Sequence, residues 1–318
     1  MVDGALRACQ ADPALQLLLV GPIETAGAIL GALDESDQAR IRTVAAPGAP
    51  PTHPANAGWI ESGVRAAVLA VAQGQADAVV SAGSTGATVT SAALGLGRWP
   101  GVRRPALAAV LPTGAGRLVL LDVGASVDPN EQTLAMHALL GAAYASTVHG
   151  LAAPRVGLLT IGTESGKGDR LRRATAQVLA ALPFAAGGRY IGLIEGNDVV
   201  LGGTADVVVT DGFTGNVLLK GLETAYALIG SPTPEEAAED ETAPPRAAIL
   251  LGVAGTVVVC HGAANGADIA SGIALAARLV RGGAAVRPTA DGPRPVGHQH
   301  PGDHVDDHVT ASLAEVQP

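Results

Sequence analysis

At 318 residues the chain is long enough for one large or two small domains. Hydrophobic residues make up 48% but aromatics only 2%, so a core has to be built from Ala, Val, Leu and Ile, as in parallel sheets covered by helices. A formal net charge of −9 removes the electrostatic case for nucleic acid, and two cysteines make no disulfide framework but fit a reduced, cytoplasmic setting.

The start, MVDGALRACQADP, lacks the basic and long apolar stretches of a secretory signal, and no uninterrupted apolar run reaches the length of a membrane span. Val2 to Gln10 reads as a helix, Gln16 to Val20 as a short buried strand, Ile23 to Leu33 as a helix and Ile41 to Ala45 as a strand. Residues 47–58 form a Pro-rich loop before a helix from Ile60 to Gln73 that feeds a strand at Ala78 to Val80. Ala106 to Leu111 and Leu118 to Leu121 read as strands around a turn at Pro112 to Gly116. A long helix follows from Gln132 to Val148, with Pro129 near its start. Strands at Val156 to Ile161 and Tyr190 to Ile194 flank a helix with a basic face, Asp169 to Ala181. The alternation predicts a Rossmann-like α/β/α fold of three layers on a mostly parallel, doubly wound sheet. Residues 231–245, SPTPEEAAEDETAPP, read as a solvated acidic loop. Residues 288–318 read as a disordered Pro- and His-rich tail, leaving 1–287 as the folded domain. His298, His300, His304 and His308 in that tail are either adventitious metal ligands or plain polar residues, and no metal site or cofactor is expected elsewhere.

The densest chemistry lies in VVTDGFTGNVLLKGLE, Val208 to Glu223, where a strand ends in Asp211, Gly212, Thr214, Gly215 and Asn216 and a helix opens at Val217. Such a turn aims backbone N–H groups and a helix N-terminus at one point, and its glycines permit positive φ or close approach. The same plan recurs in AVVSAGSTGA (Ala78 to Ala87), in LVLLDVGASVD (Leu118 to Asp128), in LLTIGTESGKG (Leu158 to Gly168) and in VVVCHGAANGADI (Val257 to Ile269). Five such strand ends predict one crevice at the carboxyl edge of a parallel sheet. Ser81, Ser84 and Thr85 offer hydroxyls there, Lys167 a flexible cation in a glycine-flanked loop. Asp122 and Asp211 suit turn-ordering better than anion contact. Cys9, on an expected surface helix, and Cys260, at the end of an apolar strand, make poor nucleophiles.

Six segments, SAGSTGA, RPALAAVLPT, LLDVGASVD, PRVGLLTIGTESGKG, ADVVVTDGFTGNVLLK and CHGAAN, resemble in order and kind the phosphate acyltransferase family PlsX of bacterial phospholipid synthesis, over roughly residues 2–286. The resemblance implies acyl transfer from acyl-[acyl carrier protein] to inorganic phosphate without a cofactor. It also implies a fold shared with isocitrate and isopropylmalate dehydrogenases, a homodimer in the cytoplasm and peripheral membrane contact. It assigns Lys167, Asn216 and His261 to catalysis, and Ser81, Gly83, Ser84, Thr85, Gly86, Asp211, Gly212, Thr214, Gly215, Gly262 and Asn265 to substrate. Lys167 then meets phosphate or oxyanion, or is an ordinary loop lysine. Asn216 donates to the carbonyl or caps its helix, and His261 protonates the leaving thiolate or is structural. Arg170, Arg172 and Arg173 are a candidate surface for acidic carrier protein, or an ordinary solvated face.

The chain departs from the family pattern in four places. It begins after the family's first strand and its Asp-Ala-Met-Gly-Gly-Asp segment. It has THPANAGWIESG, with Arg65 the nearest base, in place of a basic run. It carries Ala263 and Ala264 where serines are usual, and the acidic loop 231–245 where a helical hairpin is thought to meet the membrane. Two other functions compete: a non-catalytic relative that binds carrier protein or a partner, and a phosphotransacetylase-like enzyme acting on acyl-CoA.

Overall fold

The structure is a computed structural model that describes residues 1–21, 30–31, 35–46, 57–164, 166–185, 187–228, 246–262, 264–283, 286–287, 294–295 and 309–314. The strands are β1 (Leu15–Gly21), β2 (Ile41–Ala45), β3 (Ala78–Ser81), β4 (Ala106–Thr113), β5 (Gly116–Leu121), β6 (Arg155–Leu159), β7 (Arg189–Ile194), β8 (Val207–Val209), β9 (Ala247–Leu251), β10 (Thr256–Cys260), the short pair β11 (Val286–Arg287) and β12 (Arg294–Pro295), and β13 (Val309–Ala314). The helices are α1 (Val2–Ala11), α2 (Glu35–Arg40), α3 (Ala57–Ala72), α4 (Thr85–Gly95), α5 (Glu131–His149), α6 (Arg170–Ala180), α7 (Gly196–Leu201), α8 (Gly212–Leu228) and α9 (Gly266–Arg281). Most of the expected helix Ile23 to Leu33, the Pro-rich loop up to residue 56, the acidic loop 231–245 and the four tail histidines lie outside the described residues.

One sheet carries the fold, in the order β2-β1-β13-β3-β10-β9-β4-β5-β8-β6-β7. Its central strands are apolar on both faces because both faces are covered: β3, β8 and β10 are buried at every position. On one face the buried side chains of α1, α5, α6 and α9 close a core around Leu134, Leu140, Tyr144 and Ile273. On the other, α3, α4, α7 and α8 close a second core around Val64, Val68, Ala92, Val199 and Leu222. The expected three-layer α/β/α fold is borne out.

The sheet is mostly parallel, but its direction reverses inside it. β3 and β10 are parallel, β9 runs antiparallel to β10 and to β4, and β5 runs antiparallel to β4. β5, β8, β6 and β7 are again parallel to one another. The carboxyl ends of β3 and β10 therefore lie at one edge of the sheet, and those of β5, β8 and β6 at the opposite edge. The single crevice of five strand ends is corrected to two groups. The reversal comes from the β4–β5 hairpin, whose Gly116 takes φ +123, and from β9, a strand that pattern reading overlooked because Ala-Ala-Ile-Leu-Leu resembles a helix as much as a strand.

A second correction concerns the tail. Val309–Ala314 is not disordered: it pairs in parallel with β1 on one side and β3 on the other, in the middle of one half of the sheet. Ala311 and Ser312 are fully buried there, and Asp77 Oδ2 accepts the Thr310 N–H at 2.8 Å. Without it, β1 and β3 would each present a row of unpaired backbone groups to a closed interior, which only another strand satisfies. Cys9 is also corrected. Its helix α1 is pressed against α9, so closely that a Cβ at Gly4 would lie 2.5 Å from Ile269 Cβ, and Cys9 is buried. Burial pushes its thiol pKa up, and that of Cys260 up to about 12.

Candidate active site

The edge formed by β5, β8 and β6 is built on two carboxylates. Asp122, fully buried after β5, accepts four backbone N–H groups: Leu107, Gly124 and Ala125 on Oδ1 at 3.0, 3.1 and 2.9 Å, and Ser126 on Oδ2 at 2.6 Å. It orders the turn, as expected of it. The Ser126 carbonyl then accepts the Gly212 N–H at 2.9 Å, tying the β5 loop to the start of α8.

Asp211 immediately precedes α8 and caps it, accepting the Thr214 N–H on Oδ1 at 2.9 Å and the Thr214 hydroxyl on Oδ2 at 2.7 Å. The glycine-rich turn is thus the first turn of the helix itself, which starts at Gly212 rather than Val217. Neither Gly212 nor Gly215 has a positive φ. Close approach is what demands them: a Cβ at Gly215 would sit 2.0 Å from the Asp122 carbonyl oxygen, and one at Gly212 2.7 Å from that of Ser126. Burial raises the Asp211 pKa, but the Thr214 bonds and the Arg172 guanidinium outweigh it and hold the carboxyl below its usual range.

Arg172 is the residue that sequence reasoning placed wrongly. Its side chain is 11% exposed, not a docking surface, and it faces Asp211 Oδ2, Thr210 Oγ1 at 3.2 Å and Thr214 Oγ1 at 3.1 Å. Its i, i+3 relation to the α6 cap Asp169 turns it inward, where two threonines and a buried carboxylate await it. Arg170 and Arg173 remain exposed.

Asn216 is the fifth residue of α8, not its cap. Its Nδ2 donates to the Val123 carbonyl at 3.1 Å, which uses one of its two amide hydrogens. Lys167 follows β6, half-exposed, with Nζ 3.8 Å from the exposed Glu164 carboxylate, a loose surface pair.

The opposite edge gathers the other residues. Ser81, fully buried, spends its hydroxyl on Thr88 Oγ1 at 3.0 Å and on the Gly83 N–H at 3.1 Å, so it orders the β3 turn. Ser84 caps α4, accepting the Ala87 N–H at 3.5 Å; Thr85 and Gly86 follow in its first turn, with open space beside Gly86. No acid lies in that turn, whereas α8 is capped by Asp211, and α9 by Asn265 with Asp268 in a reciprocal box. On neighbouring β10, His261 and Gly262 are exposed beyond the buried Cys260.

Lys220 links the two edges. It lies one turn past Asn216, about 6 Å along α8, and its Nζ is 2.5 Å from His261 Nε2. Lysine ammonium has donors only, so with Lys220 as the donor Nε2 is the acceptor of this contact. Lys220 and Lys167 are the only lysines in the chain. Rarity together with the i, i+4 spacing from Asn216 was the available signal for Lys220. Phe213, Val217, Lys220 and Thr224 form one exposed stripe along α8, with Phe213 63% and Val217 58% exposed.

The chain matches known proteins in fold and in sequence. Residues 1–243 match the family model described as fatty acid synthesis protein, and the chain belongs to that family. It is 42% identical to a phosphate acyltransferase of Thermobifida fusca, covering 89% of this chain and 84% of that one. It is 37% identical to the phosphate acyltransferase of Desulfitobacterium hafniense, over 89% of this chain and 90% of the relative. Among solved structures, a phosphotransacetylase from Streptococcus pyogenes superposes with TM-score 0.60 at 19% identity, covering 86% of this chain and 90% of its own. A branched-chain phosphotransacylase from Enterococcus faecalis does so with TM-score 0.57 at 15% identity, covering 83% and 99%. These two show the fold alone.

Proposed function

We propose that the protein is a phosphate acyltransferase that moves an acyl group from acyl-[acyl carrier protein] to inorganic phosphate. The geometric observation that supports this best is the pairing of Lys220 with His261 beside α4, which is capped by the neutral Ser84 and has no acid in its first turn. Phosphate is held there by the backbone N–H groups from Ser84 to Gly86 and by the Lys220 ammonium. A phosphate oxygen attacks the thioester carbonyl carbon, the C–S bond breaks, and the carrier thiolate leaves with a proton. Asn216, with its second amide hydrogen, and Lys167 serve the carbonyl oxygen as it becomes an oxyanion. The proton for the thiolate comes from Lys220 or from His261 Nδ1, since Nε2 is the acceptor of their bond. The acyl chain runs along the apolar part of the α8 stripe, Phe213 and Val217. The resemblance adds a cytoplasmic homodimer with weak membrane contact; among the described residues no helix is long and apolar enough to cross a membrane.

The test is thiol release from acyl-carrier protein and from acyl-CoA, with and without phosphate. Phosphate-dependent release from the carrier substrate is expected, and Lys167→Ala and Asn216→Ala each slow it by roughly 10²–10³-fold, the usual loss for one oxyanion donor. Preference for acyl-CoA would reassign the donor. No release from either would leave a non-catalytic relative, and carrier-protein binding would then be the remaining activity to measure.

A further inference from the structure

Lys167 and Asn216 stand on different elements, the loop after β6 and the helix after β8, and neither is anchored to the other directly. Beyond the pairing of β6 with β8 themselves, the side-chain link described between those elements is the Arg172 guanidinium. Arg172 lies one turn into α6, five residues after Lys167, and packs under the turn that carries it. Gly168 has φ +86, and a Cβ there would sit 2.7 Å from Arg172 Cβ and 2.8 Å from Thr160 Oγ1. From that position Arg172 Nη1 holds Asp169 at 2.9 Å, while Nη2 reaches Thr210, Asp211 and Thr214 at the first turn of α8. Asp211 is 8% exposed and Thr214 is two residues from Asn216. A pair this enclosed, with the planar fork meeting several acceptors, defines one distance and one angle between the two elements in a way that a lysine could not.

We propose that Arg172 is a positioning residue that sets the separation of Lys167 and Asn216 by bolting the first turn of α6 to the first turn of α8. This rests on the acyltransferase reading for its kinetic consequence, but not for its structural one. In Arg172→Met, kcat for acyl-phosphate formation falls about 10–100-fold while KM for phosphate, held at the opposite edge, changes less than about threefold. Arg172→Lys recovers part of kcat. In a Lys167→Ala background, Arg172→Met has little further effect, because residues that act as a unit are not additive. Independently of activity, hydrogen exchange at residues 162–168 and 211–216 speeds up together in Arg172→Met.

A folded Arg172→Met enzyme with kcat within twofold of the parent overturns the proposal, as does a loss of equal size with and without Lys167. Should Arg172→Met fail to fold, Thr214→Val removes one acceptor and leaves the ion pair, and a smaller loss in the same pattern is expected; unchanged kcat there counts against it. A parent protein without activity sinks the functional reading, and the exchange measurement then decides: acceleration in both segments upholds the bolt, and acceleration in only one overturns it.

Discussion

The two strand-end groups use the same sequence grammar and arrive at opposite electrostatics. SAGSTG after β3 and TDGFTG after β8 both read as strand, glycine turn, helix. Yet the first is capped by a serine hydroxyl and stays open, while the second is capped by Asp211, closed by Arg172 and packed to contact against Asp122. A helix N-terminus attracts an anion only if its own carboxylate has not already taken the position. In the proposed function the open edge receives the phosphate, and the other edge is a rigid mount for the side chains that stand on it.

The sharpest way to break this comparison is at the glycines. Gly215→Val forces a β-branched side chain into the Asp122 carbonyl, and a loss of stability above about 3 kcal/mol is expected, the upper end for overpacking. Denaturant melts of the purified variant measure it; wild-type stability would mean that the mount is not rigid. The variant consequently makes a poor probe of phosphate binding.

Next in size is Lys220→Met. Removing a charge-assisted bond to phosphate, of about 1.5–3 kcal/mol, lowers kcat/KM for phosphate about 10–150-fold while leaving the melting temperature near that of the parent. Millimolar phosphate, with chloride at matched ionic strength as the control, raises the melting temperature of the parent and not of this variant. Equal shifts in both would remove Lys220 from the anion site.

A pH series tests the Arg172–Asp211 pair. The folded Asp211 pKa lies below its unfolded value of about 3.9. Its contribution to stability is present above that value and is lost as pH falls through the depressed folded pKa. Asp206, whose pKa rises through burial but is driven below normal by its Arg155 bonds, acts in the same window. The melting temperature should fall from about pH 4 downward, and less steeply in Asp211→Asn. An identical slope in that variant would discount the Arg172–Asp211 pair.

The smallest effect is expected at Gly86→Ala. Only Ser84 Oγ, at 3.9 Å, lies near the added methyl, so the helix is stabilised by up to about 1 kcal/mol. The backbone N–H survives, and phosphate-dependent activity stays within about threefold of the parent. A collapse of activity would mean that the ligand approaches closer than the open space implies.

Much of this fold was legible in the chain. The β-branched apolar runs at Val207–Val209 and Thr256–Cys260 read as strands buried on both faces, and Pro129 marked the start of α5, where Asn130 accepts the Thr133 N–H. The hairpin at Pro112 to Gly116 already contained the reversal of the sheet, but its consequence, two edges rather than one crevice, is not local. It follows from β9 and β4 lying side by side, residues some 140 apart in sequence. The inward turn of Arg172 depends on Thr210 and Asp211, 38 and 39 residues away, and pattern alone cannot tell it from the exposed Arg170 and Arg173.

What the sequence determined by itself was whatever rests on neighbours within a turn or a strand: the alternation of elements, the turn-ordering role of Asp122, and the motifs that carry the family. Only the tertiary structure decided which strand ends share an edge, that Lys220 meets His261, and that Val309–Ala314 enters between β1 and β3. Backbone pairing and ion pairs between distant segments are set by which groups a closed interior leaves unsatisfied, and that appears in no local window of the chain.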